Sequence, residues 1–83
     1  MNANKYNNGM KVKEAVRLRL AELREERGWT QKEVASRLNI SQRAYSHYEN
    51  GSRNLSLELL VDIATLYDVG VDFLLADSER DRD

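Results

Sequence analysis

The sequence predicts an all-α domain of five short helices, and three observations carry that prediction. Apolar residues recur at intervals of three and four, the period of a helix with one buried face. Ser, Thr, Asn and Gly fall where such helices would have to begin and end. No proline, the strongest helix breaker, occurs in the 83 residues.

Taken in order, residues 1–10, MNANKYNNGM, are polar, Asn-rich and without period, and are expected to form a flexible N-terminal tail. From about Lys13, Val16, Leu20 and Leu23 follow at i, i+4 and i+7, with Val12 one turn earlier. Gly28 suits the position just past the end of this first helix, and Trp29 then packs on the turn. Thr30 is a good N-cap, and Glu33 stands three residues on, the spacing of a capping box. The second helix runs from about Gln31 to Leu38, with Val34, Ala35 and Leu38 as its apolar positions.

Asn39 tolerates a left-handed corner better than most residues, and Ile40 plugs the core from that turn. Ser41 caps a third helix over Gln42 to Glu49 or Asn50, which Asn50-Gly51 stops. After a loop, Ser56 caps a fourth helix running to about Tyr67, with Glu58 in its first turn. Leu57, Leu60, Val61, Ala64 and Tyr67 mark its expected buried face, widened by Ile63. Asp68-Val69-Gly70 breaks the chain again, and Val71 to Leu75 make a fifth helix. Helices this short do not stand alone in water, so one core must serve all of them. The expected domain is 11–76, followed by a charged, frayed C-terminal tail at 77–83, DSERDRD.

Composition narrows the function. With 41% hydrophobic and 33% charged residues, the chain reads as a small soluble domain. It has no cysteine, hence no disulfide and no thiolate metal site. No apolar run nears the roughly 18 residues of a membrane span, and no signal-peptide pattern opens the chain. A cytoplasmic location, away from membranes, is the expectation. The net charge of −1 hides a split. Residues 1–54 hold eleven Lys and Arg against six Asp and Glu; residues 55–83 hold two against eight. A basic front and an acidic back suit a protein that turns one end to a polyanion.

Chemistry is poorly served by comparison. His47 is the one histidine, and a metal site would need further ligands. No nucleophile–base pair accompanies it. The acids at 62, 68, 72, 77, 79, 81 and 83 lack the glycine-bearing loop of a calcium site and read as solvated surface. Neither enzyme activity nor a cofactor is expected.

The informative unit is 31–50, QKEVASRLNISQRAYSHYEN. Ala35 is small enough for the third helix to cross the second closely. Tyr45 and Tyr48, three apart, share a face and belong to the scaffold, although the Tyr45 hydroxyl could touch a phosphate. Gln42, Arg43, Ser46, His47 and Asn50 form the opposite stripe. A helix with its back fixed to a core and such a front is built for a DNA major groove. Gln can pair with adenine and Arg with guanine, each through two hydrogen bonds.

Residues 18–75 resemble the phage repressor/Cro-like regulators, the XRE family. The resemblance is carried by Thr30-Gln31, Ala35, Ile40-Ser41, Glu49-Asn50-Gly51 and the Val71-Asp72-Phe73-Leu74-Leu75 finish, in order and at the right spacing. It implies a five-helix, lambda-repressor-like DNA-binding domain. It also implies that Gln31 contacts a phosphate, and that Gln42, Arg43, Ser46 and His47 read bases or adjoining phosphates. Ser41, Tyr45, Asn50 and Arg53 join the expected DNA-binding set, with Asn50, Ser52, Arg53 and Asn54 in the segment that anchors the DNA backbone just past the reading helix. Arg24 and Glu49 match positions that form a partly buried ion pair between the first and third helices. Asn39 stands where the family often has Gly. Asp68 and Gly70 replace a usual Gly and a Ser or Thr cap, which predicts a weakly capped last helix.

Leu59, Leu66 and Phe73 recur seven apart outside the expected core stripe. Exposed apolar groups on one side mark an interface, so these residues with Leu55 are the expected homodimer surface; packing under loops or the tail is the plainer alternative. The reading overall is a homodimeric, sequence-specific regulator on an inverted-repeat operator in double-stranded DNA, expected to repress. The rivals are an antitoxin or other protein-binding module, with a toxin or polymerase as partner, and a restriction–modification controller.

Overall fold

A computed structural model describes residues 9–76. Residues 1–8 of the expected N-terminal tail, and the expected charged tail at 77–83, lie outside the described residues. All regular structure among the described residues is helical: α1 (Gly9–Glu26), α2 (Gln31–Arg37), α3 (Gln42–Glu49), α4 (Leu57–Tyr67) and α5 (Val71–Leu75). The first helix begins earlier than the apolar spacing predicts, so Gly9 and Met10 are helical rather than tail. Periodicity reveals a helix only where one face is apolar, and among the described side chains Val12 is the first to pack on the core.

Four helices end in the same way, each at a left-handed residue. Gly28 (φ 69°), Asn39 (φ 62°), Gly51 (φ 86°) and Asp68 (φ 57°) occupy those positions. At α1, Gly28 N–H donates to Glu25 O at 3.0 Å and Trp29 N–H to Arg24 O at 3.1 Å. At α2, Asn39 N–H donates to Ser36 O at 3.2 Å and Ile40 N–H to Ala35 O at 3.0 Å. The pair of bonds satisfies carbonyls that a helix end would leave open. The starts are equally explicit. Thr30 and Glu33 form the full capping box, with Thr30 Oγ1 accepting from Glu33 N–H at 3.0 Å and Glu33 Oε1 accepting from Thr30 N–H at 2.7 Å. Ser41 and Ser56 cap α3 and α4 through their hydroxyls. Gly70 gives α5 no side-chain cap, as its composition predicts.

The core takes Val16, Leu20 and Leu23 from α1, Val34 and Ala35 from α2, Leu38 from the corner, Tyr45 from α3, Leu59, Ile63, Ala64 and Tyr67 from α4, and Leu74 from α5. Helix α1 packs on α3 and α5, α2 on α3, and α4 on α5. Trp29, half-buried in the α1–α2 turn, meets Tyr67 with ring centroids 5.7 Å apart and lies under the Arg37 guanidinium at 4.2 Å.

The buried face of α4 is the main correction. Leu57 and Val61, expected inside, are 79% and 53% exposed. Leu59, expected outside the core, is only 8% exposed and contributes to it. Helix α4, LELLVDIATLY, carries one polar stripe, Glu58, Asp62 and Thr65 at i, i+4 and i+7, which faces outward but leaves Leu57 and Leu59, one on each flank of it, equivalent by pattern. The rotation is chosen by its neighbours, which take Leu59, Ile63 and Tyr67. Burying Leu59 contributes about 1.5–3 kcal/mol.

Candidate nucleic-acid interface

The surface of interest is built from Glu49 outward. This carboxylate is 8% exposed and is met by donors from three helices. Arg24 of α1 gives it two, Nε to Oε2 at 2.8 Å and Nη2 to Oε1 at 3.1 Å. Gln31 Nε2 of α2 donates to Oε1 at 2.6 Å, and the Tyr45 hydroxyl of α3 donates to Oε2 at 2.8 Å. Arg24 also donates through Nη1 to Trp29 O at 2.9 Å, fastening the turn before α2.

Burial by itself would raise the Glu49 carboxyl, but the hydrogen bonds from Arg24, Gln31 and Tyr45 outweigh it and hold the group below its ordinary value. The hydrogen bond to Glu49 raises Arg24 in turn. Burial, then the bond to Glu49, pushes the Tyr45 hydroxyl up, so it stays neutral. The Arg24–Glu49 pair expected from the resemblance is therefore present. Gln31 and Tyr45 complete it. The Tyr45 contact had a visible signal, since tyrosine and glutamate four apart share a helix face.

With the back of α3 fixed in this way, Gln42, Arg43, Ser46 and His47 line one shallow concavity together with Gln31. Gln42 and Arg43 are exposed, while Ser46, His47 and Gln31 are half-buried. Five of the expected contact residues thus share one surface, spanning the start of α2 and the face of α3. It holds a guanidinium, two amides, a hydroxyl and an imidazole, a set suited to base edges and phosphates.

The other expected site residues are disposed differently. Tyr45 is a correction: its ring is 1% exposed and its hydroxyl is spent on Glu49, so it cannot reach a phosphate. Ser41 is exposed at the α3 start, its Oγ accepting from Ala44 N–H at 3.0 Å. Asn50 is exposed but uses Oδ1 to fold the next loop, accepting from Ser52 N–H at 2.9 Å. Arg53 is exposed, with its guanidinium 5.8 Å from the Tyr48 ring centroid. It borders an apolar groove lined also by Val12, Val16, Leu55 and Leu60.

Of the residues expected at a dimer surface, Leu59 is in the core, and Leu55 and Leu66 are partly buried against it. Phe73 alone is exposed, at 41%, with the Arg19 guanidinium 4.1 Å from its ring centroid. Among the described residues, no group of three or more His, Cys, Asp and Glu could hold a metal ion, and no helix is long and apolar enough to cross a membrane.

A family model described as helix-turn-helix matches residues 20–74. The HTH-type transcriptional regulator ImmR of Bacillus subtilis (strain 168) is 41% identical over 61 residues, covering 74% of this chain and 48% of that protein. The cryptic phage CTXphi transcriptional repressor RstR of Vibrio cholerae is 34% identical over 65 residues, 78% of this chain and 59% of that one. The chain spans about half the length of the curated relatives it matches. Among solved structures, the clp gene regulator ClgR from C. glutamicum superposes with a TM-score of 0.69 at 28% identity, covering 77% of this chain and 83% of that one. The hypothetical transcription factor NHTF from Neisseria reaches a TM-score of 0.79 over 96% of this chain and 90% of that one; at 18% identity it shows the shared fold alone. These relatives are named as transcriptional regulators, not as enzymes.

Proposed function

The chain belongs to the helix-turn-helix family, the Cro/C1 type, and on that premise we propose that it is a sequence-specific double-stranded DNA-binding regulator that represses transcription. One observation carries this reading: Gln31, Gln42, Arg43, Ser46 and His47 share a single outward concavity over a helix whose back is fixed by Glu49. Helix α3 enters the major groove, and Arg43 and Gln42 supply base contacts. The basic half of the chain supplies the field that holds the phosphates. The name of one relative, the transcriptional repressor RstR, supports repression, and a cytoplasmic location goes with the function.

The protein acts as a homodimer on an inverted repeat, with the two reading helices about 34 Å apart. Support for a second copy comes from the exposed apolar side chains of the α4–α5 half, Phe73 together with Leu57 and Val61. Leu59 leaves the interface because it is core, and Leu55 and Leu66 leave it because they pack against the core.

Selection of bound sequences from random DNA, repeated at two salt concentrations, tests the reading. An enriched palindrome with a steep salt slope is expected. Arg43→Ala then relaxes one position of that site and costs about 1–3 kcal/mol. Absence of any enriched sequence would overturn the proposal. Sedimentation that finds a monomer at concentrations where operator binding is cooperative would overturn the dimer.

A further inference from the structure

The loop after α3 fixes which nitrogen of His47 carries a proton. Ser52 N–H donates to Asn50 Oδ1 at 2.9 Å, so the Asn50 atom at that place must be the amide oxygen and not its nitrogen. The same Oδ1 lies 2.8 Å from Ser52 Oγ. Two oxygens that close need a hydrogen between them, and only the Ser52 hydroxyl can supply it. That hydroxyl has one hydrogen. Ser52 Oγ also lies 2.8 Å from His47 Nδ1, and with its hydrogen already committed to Asn50 it can only accept there. His47 Nδ1 must therefore be the donor. In the neutral ring, a proton on Nδ1 leaves Nε2 as a bare acceptor.

The position of the ring gives this assignment a consequence. His47 lines the concavity beside Arg43 and Gln31. Arg43 can only donate, whereas Gln42 and Ser46, in the same lining, can donate or accept as the base requires; His47 alone would be held to accepting. In the major groove, the only hydrogen-bond donors on base edges are the exocyclic amines, N6 of adenine and N4 of cytosine; guanine and thymine offer acceptors. We propose that Ser52 and Asn50 lock His47 as an acceptor, so that His47 selects adenine or cytosine over thymine or guanine on the strand it faces. Ser52 is a positioning residue that acts through His47 and need not touch DNA. The inference rests on the DNA-binding reading above and adds to it the hydrogen-bonding class of one recognised base.

Because His47 is the only histidine, nitrogen-15 NMR reads its tautomer without ambiguity, on the full chain, free of DNA, at a pH where the ring is neutral. A protonated Nδ1 is expected in the wild type and in Ser52→Thr, and loss of that preference in Ser52→Ala. A wild-type ring protonated on Nε2 would overturn the lock. The second arm is selection from random DNA with the same three proteins. The wild type and Ser52→Thr should enrich one base pair per half-site that His47→Ala relaxes; replacing its amine-bearing base by an analogue without the amine, purine for adenine or 2-pyrimidinone for cytosine, should weaken both proteins on the order of three- to tenfold and Ser52→Ala far less. Wild-type affinity left unchanged by removal of that amine would overturn the inference while leaving the DNA-binding reading intact. No enriched sequence for any of the three proteins would overturn that reading, and with it the base preference, whatever the tautomer. Ser52 is exposed, so Ser52→Ala should keep the wild-type melting temperature; a fall of several degrees would show Ser52 to be structural and would also count against the inference.

Discussion

The α2–α3 pair and the α4–α5 pair are each two helices joined at a left-handed residue that is not glycine, Asn39 in one and Asp68 in the other. Beyond the corner they differ. Helix α3 has a serine cap and a buried carboxylate held by Arg24, Gln31 and Tyr45. Helix α5 has no side-chain cap, and its neighbour α4 brings a buried tyrosine, Tyr67, whose hydroxyl meets no hydrogen-bond partner among the described residues. Burial pushes that hydroxyl up to about 12. The two halves spend their polar groups differently. One directs them at holding a helix at a fixed angle; the other relies on apolar contact.

The largest test of this contrast removes Glu49. Glu49→Ala leaves Arg24 without its partner and should cost about 3–5 kcal/mol in chemical denaturation, whereas Glu58→Ala, at an exposed position, should stay within about 0.5 kcal/mol. Acid provides a second view of the same group. Its folded value lies below the ordinary 4.5, so its contribution is complete above that pH and is lost as pH falls through the depressed folded value. An acid titration of the melting temperature should show the loss, and Glu49→Ala should abolish that component.

Next in size is the tyrosine pair. Tyr45→Phe removes a donor to a buried carboxylate and should cost about 1.5–3 kcal/mol, moving the acid loss to higher pH. Tyr67→Phe removes a hydroxyl that has no partner and should be neutral or stabilising by up to about 1 kcal/mol. Equal costs for the two would erase the distinction between the halves. Asp68→Gly relieves the left-handed backbone and should raise stability by up to about 1 kcal/mol, read as a higher melting temperature. The smallest effect belongs to Gly70→Ser. A serine cap gains only a few tenths of a kcal/mol over glycine, and its Cβ would come within 2.5 Å of Asp72 Oδ1, which must move aside. A larger gain at Gly70 than at Asp68 would mean that the missing cap, not the corner, limits this half.

The same contrast explains what could be read from the sequence. Helix starts and corners are local chemistry. Thr30 with Glu33, Ser41, Ser56, Gly28 and Asn39 announce themselves because each acts on backbone within a few residues. Those signals placed the stripe of Gln42, Arg43, Ser46 and His47 on the outward face of α3. The polar stripe of Glu58, Asp62 and Thr65 sets the outward face of α4, but Leu57 and Leu59 flank it symmetrically, and only the packing of the neighbouring helices decides that Leu59 is buried and Leu57 exposed. The Tyr45 hydroxyl is ambiguous in the sequence for a related reason. A tyrosine next to a reading stripe suits either a phosphate or a buried carboxylate, and only the fold brings Arg24 and Gln31 to the same oxygens. The Ser52–His47 contact depends on a loop whose left-handed Gly51 turns it back on the helix end, a distance that spacing does not encode.

Trp29 has a practical consequence. It is the only indole in the chain, lodged between the α1–α2 turn and Tyr67 of α4, and it is not among the residues lining the concavity. Its fluorescence therefore reports whether the two halves remain docked, without any added label. Emission that reddens before helical circular dichroism is lost would reveal α4 and α5 peeling away while α2 and α3 hold.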